Sequence, residues 1–179
     1  MNLPLQIIIV FILITAVVFD VRYLKIPNIL TFPAMLSGLA YHTLTSGGAG
    51  LLFSLGGLAT GLAVLLILFL MGAMGAGDAK LMGAIGALSG THVVLNAALF
   101  SMVAGGVYAL ILILFRYSAC KEVLSRFFLQ LNYFRRTGKF AGISIKNRPN
   151  EPKLCYAVAI AMGTFFVMGW QAVNHSLPL

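Results

Sequence analysis

Apolar residues run along this chain in long stretches with no regular polar face, and short segments rich in glycine or charge interrupt them. The interruptions read VRYLKIPN, SGGAG, GAGDAK and SGTH, followed by a long basic stretch from Arg116 to Lys153. Between them the pattern predicts helices over about 4–22, 29–45, 50–73, 79–90, 92–115 and 154–173. A helix needs about 20 apolar residues to cross a hydrocarbon core of about 30 Å. Most of these segments approach that length. The fourth, of about 12 residues, spans only roughly 18 Å and is expected to be tilted, extended into Thr91 and His92, or partly re-entrant. The expected fold is therefore all-α: a polytopic membrane protein of about six transmembrane helices, forming one domain over residues 1–179.

Composition agrees with the pattern. Of 179 residues, 60% are hydrophobic and 9% charged, and the mean hydropathy is +1.00. No water-soluble domain of this size could bury so much apolar surface, so the lipid bilayer is the first expected partner. The opening segment, Met1 to Phe19, has no basic residue ahead of its apolar run and no good cleavage site, so it reads as a span rather than a signal peptide.

The net charge of +8 would suggest nucleic acid if the basic residues formed a stripe or a binding motif. They do not, so no nucleic-acid partner is expected. Arg22 and Lys25 lie in the first connection, Lys80 in the third, and the other nine basic residues between Arg116 and Lys153. All twelve thus fall on alternate connections, as the positive-inside rule requires if those connections face the cytosol. Both termini then face outward. This partition supports six spans independently of hydropathy.

Two smaller features follow. Residues 121–136, KEVLSRFFLQLNYFRR, place Val123, Leu124, Phe127, Phe128 and Leu131 along one face beside basic residues. That spacing predicts an amphipathic helix on the cytosolic membrane surface, within a basic loop over 116–153. Cys120 and Cys155 are expected to remain reduced in the cytosol, and His42, His92 and His175 are scattered, so neither a metal site nor a cofactor is read.

Ionisable side chains at membrane depth mark functional sites by default. Asp20 closes the first apolar run and Asp78 follows the third, so the charge partition sets both at the cytosolic interface. Two carboxylates held either side of a water share a proton: one accepts from the water as it attacks, and the other donates to the substrate. They can meet only if the first and fourth spans pack together. Other roles also fit these positions, with Asp78 capping the fourth span and Asp20 pairing with Arg22 or Lys25. Gly72, Gly75 and Gly77 are expected to relax backbone geometry near Asp78 and to leave room for an extended substrate. Pro27 and Asn28 read as a helix break and an N-cap. Gly57/Gly61 and Gly86/Gly90 make small-xxx-small pairs for close helix packing. Lys80 reads as an interfacial anchor that could also balance local charge.

The run D-x-R-x-x-x-I-P-N at Asp20–Asn28, followed by G-x-G-D at Gly75–Asp78, resembles the type IV prepilin peptidases and the related preflagellin peptidases. The resemblance is clearest from Leu5 to Lys80 and looser over the last span. There KLCYAVAIAMG has Cys155 and Val158 where the family pattern often has prolines. It implies a membrane aspartyl endopeptidase of the bacterial inner membrane, with Asp20 and Asp78 as catalytic dyad and Gly75, Gly77, Lys80, Pro27 and Asn28 as supporting motif. The substrate would be a prepilin or pseudopilin. Its short basic leader would be cut after a glycine on the cytosolic side, and pilus secretion machinery would be a further partner. The small size resembles the short branch serving Flp or tight-adherence pili. No cysteine tetrad domain is present, so N-methylation of the product is not implied.

Two readings from other classes compete. A proton-coupled transporter or channel would use intramembrane carboxylates as relays, yet no charged residue lies in the outer half of any span. A non-catalytic assembly subunit would need neither aspartate.

Overall fold

The computed structural model describes residues 3–70, 74–115 and 155–176. The expected surface helix over 121–136, the basic loop around it, Cys120 and Gly72 lie outside the described residues. Among those described, every regular element is a helix: α1 (Leu3–Tyr23), α2 (Asn28–Leu70), α3 (Ala76–Ser89), α4 (Thr91–Phe115) and, in the numbering used below, α5 (Tyr156–Ser176). Three are long and apolar enough to cross a membrane: α1, α2 and α4.

The second and third expected helices are joined with almost no loop. Residues Asn28–Leu70 stay helical on both sides of Gly47, whose φ of 58° and ψ of −138° break the run. That conformation is open to glycine and strained for any residue with a Cβ. The SGGAG segment therefore acts as a sharp corner. Just past it, Gly50 sits on the backbone carbonyl of His42, which brings the two arms of α2 side by side.

Helix α3 fills the centre. From Asp78 to Gly90 every residue is buried except the half-buried Lys80. A helix apolar all round belongs inside a bundle, and α3 touches each of the other four helices. Glycine and alanine permit this. Gly57 and Gly86 face one another backbone to backbone, Gly61 lies on Met82 and Gly83, and Gly38 of the first arm lies on Ala87. Among apolar helices that lipid does not drive together, such close approach maximises dispersion contact. Two polar ties fix the far end of α3. Ser54 Oγ donates to the Ala87 carbonyl at 2.7 Å, and His42 Nε2 bonds the Leu88 carbonyl at 3.0 Å. Both partners are last-turn carbonyls that α3 itself cannot satisfy.

Helices α4 and α5 form the other seam, with Gly163 against Ser101, the Tyr156 ring against Gly105, and the Phe100 and Phe166 rings tilted at 47° with centroids 4.4 Å apart. The outside of the bundle is strongly apolar: Phe11 is 68% and Ile29 82% exposed, and Trp170 and Leu99 are also exposed. A surface of this kind is stable in lipid and not in water. The protein is a membrane protein.

Candidate active site

Asp20 lies on the last turn of α1 and Asp78 on the first turn of α3, and α1 packs directly on α3. The helices that carry the two aspartates are therefore neighbours. The two carboxyl groups are 7% and 8% exposed, the only charged side chains among the buried described residues. Ile26, six residues after Asp20, packs on Gly77, the neighbour of Asp78, so both carboxyl groups lie at the same end of the bundle.

Each carboxylate is anchored through one oxygen. Asp78 Oδ2 accepts the backbone N–H of Gly75 at 3.1 Å, which satisfies the amide just ahead of α3. Asp78 is thus the third residue inside the helix, reaching back to the cap position, rather than the cap itself. Asp20 Oδ2 accepts the backbone N–H of Ala157 at 3.1 Å, at the start of α5. It does not pair with Arg22 or Lys25, both of which are exposed. A helix N-terminus favours a carboxylate through its free amides and its dipole, so α5 holds Asp20 from across the bundle. The Oδ1 atoms have no hydrogen-bond partner among the described residues, yet no buried side-chain oxygen is left unsatisfied.

The two sequence motifs meet here. Ile26 packs on Gly77, where an added Cβ would stand 3.1 Å from Ile26 Cβ and 3.4 Å from its nitrogen. Lys80 Nζ donates to Asn28 Oδ1 at 2.9 Å and lies 5.2 Å from the centre of the Phe32 ring. Asn28 is the first residue of α2, and its side-chain oxygen serves Lys80 instead of capping its own helix. An ammonium donor outcompetes a backbone amide for that oxygen because the charge strengthens the bond. Lys80 is more than an interfacial anchor, since it links α3 to α2. Gly75 and Gly77 keep ordinary backbone conformations, as the only left-handed glycines described are Gly47 and Gly90. What Gly77 provides is closeness to Ile26, and Gly75 leaves room for Asp78 Oδ2. Pro27 donates no amide, and its carbonyl accepts from Leu30 N–H at 3.0 Å as α2 begins.

Three residues at the site were given no functional role from the sequence. The Ala157 contribution is a backbone amide, which no side chain advertises. Cys155 lies beside Asp20, its Sγ 4.0 Å from the Asp20 carbonyl oxygen. Tyr156 directs its hydroxyl to the Ser101 carbonyl at 3.4 Å. The resemblance of the last span to the family pattern was the only pointer to this corner. Among the described residues no three His, Cys, Asp or Glu side chains converge to hold a metal.

Neither the curated proteins nor the solved structures gave a match to this chain. A model of the type IV leader peptidase family matches residues 7–110, a stretch that includes both aspartates and both motifs. That match covers more than half of the 179 residues, and the chain belongs to the type IV leader peptidase family.

Proposed function

We propose that this protein is a membrane aspartyl endopeptidase that removes the short basic leader from type IV prepilins of the Flp kind, cutting after glycine, with Asp20 and Asp78 as its catalytic dyad. The observation that carries the reading is the pair itself. Two buried carboxylates from helices distant in sequence sit at one end of the bundle, each tied by one oxygen to a helix N-terminal amide. Burying two acids at one end of the bundle is unfavourable, and a role in chemistry accounts for both.

In the reaction the ionised member of the pair takes a proton from water as the water oxygen bonds to the scissile carbonyl carbon. The protonated member donates to the developing oxyanion. Collapse of the resulting gem-diol breaks the C–N bond: the carboxyl that took the proton of water gives it to the departing amine, and one gem-diol hydroxyl returns its proton to the carboxylate that had donated, which restores the single shared proton of the starting dyad. The substrate's apolar segment would lie among the bundle helices, with its leader at the cytosolic face of the inner membrane. Arg22, Lys25 and Lys80 lie at the same end as the dyad, which supports that orientation under the positive-inside rule.

The test is co-expression with an epitope-tagged Flp-type prepilin. Wild type should convert the precursor to the faster-migrating mature form, while Asp20→Asn and Asp78→Asn, at equal membrane levels, should leave it unprocessed. Maturation by either variant would refute the dyad.

A further inference from the structure

We propose that Lys80 is a positioning residue whose ammonium, bound to Asn28 and lying against Phe32, clamps the first turn of α3 to the start of α2 and so sets the separation of Asp20 and Asp78. The proposal rests on the dyad reading above and explains how two helices distant in sequence are held in register at the reacting atoms.

The argument begins with chain connectivity. Asp20 is on the last turn of α1, whose end is closed by the Leu24 N–H bonding the Asp20 carbonyl at 2.8 Å. Leu24 then turns with a φ of 54°, and Ile26, Pro27 and Asn28 follow at once. The Ile26–Asn28 segment is therefore a short extension of the element that carries Asp20, with φ fixed by the ring of Pro27. On the other helix Asp78 stands between Gly77 and Lys80. Gly77 seats on Ile26 and Lys80 on Asn28, so both flanks of Asp78 rest on that extension. Fixing the two contacts fixes one aspartate relative to the other.

Lys80 does not act on Asp78 directly. Residues two apart on a helix do not face each other, and the Lys80 hydrogen bond goes to Asn28, 52 positions away in sequence. A lysine suits this place because its long stem spans from α3 to α2. It directs one N–H to the amide oxygen while its charge rests near the aromatic face. The contact at Gly77 is apolar and can slide, whereas the hydrogen bond at Lys80 is directional and selects one register.

A positioning role has a kinetic signature. If the clamp sets the geometry of the dyad, losing it should slow the chemical step and leave substrate binding largely intact. The experiment uses the full chain purified and reconstituted in liposomes, with a purified prepilin as substrate and initial rates at several substrate concentrations. Lys80→Ala and Asn28→Ala should each lower kcat roughly 10- to 100-fold with KM within about threefold of wild type. The double variant should be no slower than the slower single one, because both remove the same bond. Lys80→Arg, which keeps a donor and a cation, should recover most of kcat. Rates are normalised to the fraction of each variant that remains monodisperse at the assay temperature, so unfolding cannot pass for lost positioning.

The proposal is overturned if either alanine variant keeps kcat within threefold of wild type, or if the two losses multiply. It is also overturned if Lys80→Ala is far slower than Asn28→Ala, which would mean the ammonium acts on the substrate itself. Asp20→Asn and Asp78→Asn are run in the same assay. If they are inactive while Lys80→Ala is normal, the clamp alone fails; if they cleave, the dyad reading fails and the clamp falls with it.

Discussion

Replacing Gly86 by alanine tests how the bundle holds its central helix. A Cβ at Gly86 would stand 2.6 Å from the carbonyl carbon of Gly57 and 3.2 Å from the Leu58 nitrogen, and nearer still to the Gly57 carbonyl oxygen. Ordinary carbon contacts lie at about 3.5–4.0 Å, so α2 would have to retreat by roughly 1 Å. The obstructing atoms are backbone, so no side-chain rotation relieves the clash. Overpacking of this kind costs about 1–3 kcal/mol. About 2 kcal/mol shifts a folding equilibrium by roughly 30-fold. Gly106, within α4, has nothing within 4 Å of its Cβ direction. Gly106→Ala should therefore be neutral or gain up to about 1 kcal/mol from helix propensity. The assay is the loss of monodisperse protein on heating in mild detergent, read by size exclusion. Gly86→Ala should melt several degrees below wild type and Gly106→Ala at or above it. If Gly86→Ala matched wild type, the backbone contact between Gly57 and Gly86 would not exist in the folded protein.

Other outcomes follow from the same geometry. Ala157→Pro removes the amide bonded to Asp20 at a first-turn position where proline is tolerated. Prepilin processing should fall at least about 10-fold, since a displaced reacting group loses rate steeply. Ala157→Ser keeps the amide and should process normally, and equal activity of the two variants would remove Ala157 from the site. Gly77→Val should weaken processing strongly because its branches would enter Ile26, and unchanged processing would show that the two motifs do not touch. Gly47→Ala should lower thermal stability by about 1–3 kcal/mol because of its backbone conformation. Gly48→Ala, next to it in open space, should not; the same melting comparison decides, and equal stability would place the corner elsewhere.

The helices were legible because apolar runs long enough for a bilayer leave few alternatives, and their bounds differ from the expected ones by only a few residues at most ends. The corner at Gly47 was read as a loop, since a serine and glycine segment carries no sign that helix resumes directly on both sides. Charge partition and motif set Asp20 and Asp78 at one membrane face, and α1 and α3, the helices that carry them, pack together. Local reasoning failed where a distant partner competed. Asn28 has a good capping side chain, but its oxygen is taken by Lys80. Gly77 has the freedom of any glycine, but it is needed for its missing Cβ against Ile26. Neither partner is near in sequence. The Ala157 amide was illegible for a simpler reason, since every residue but proline has one.

The central claim is that Asp20 and Asp78 together perform the cleavage, and reconstitution tests it most directly. Purified wild-type protein in liposomes, with purified prepilin and no other protein, should release the leader peptide. Asp20→Asn, Asp78→Asn and the double variant should each fall to background, the double no lower than the singles, because the two groups act as one unit. Leader release by either single variant at a tenth of the wild-type rate or more would contradict the account.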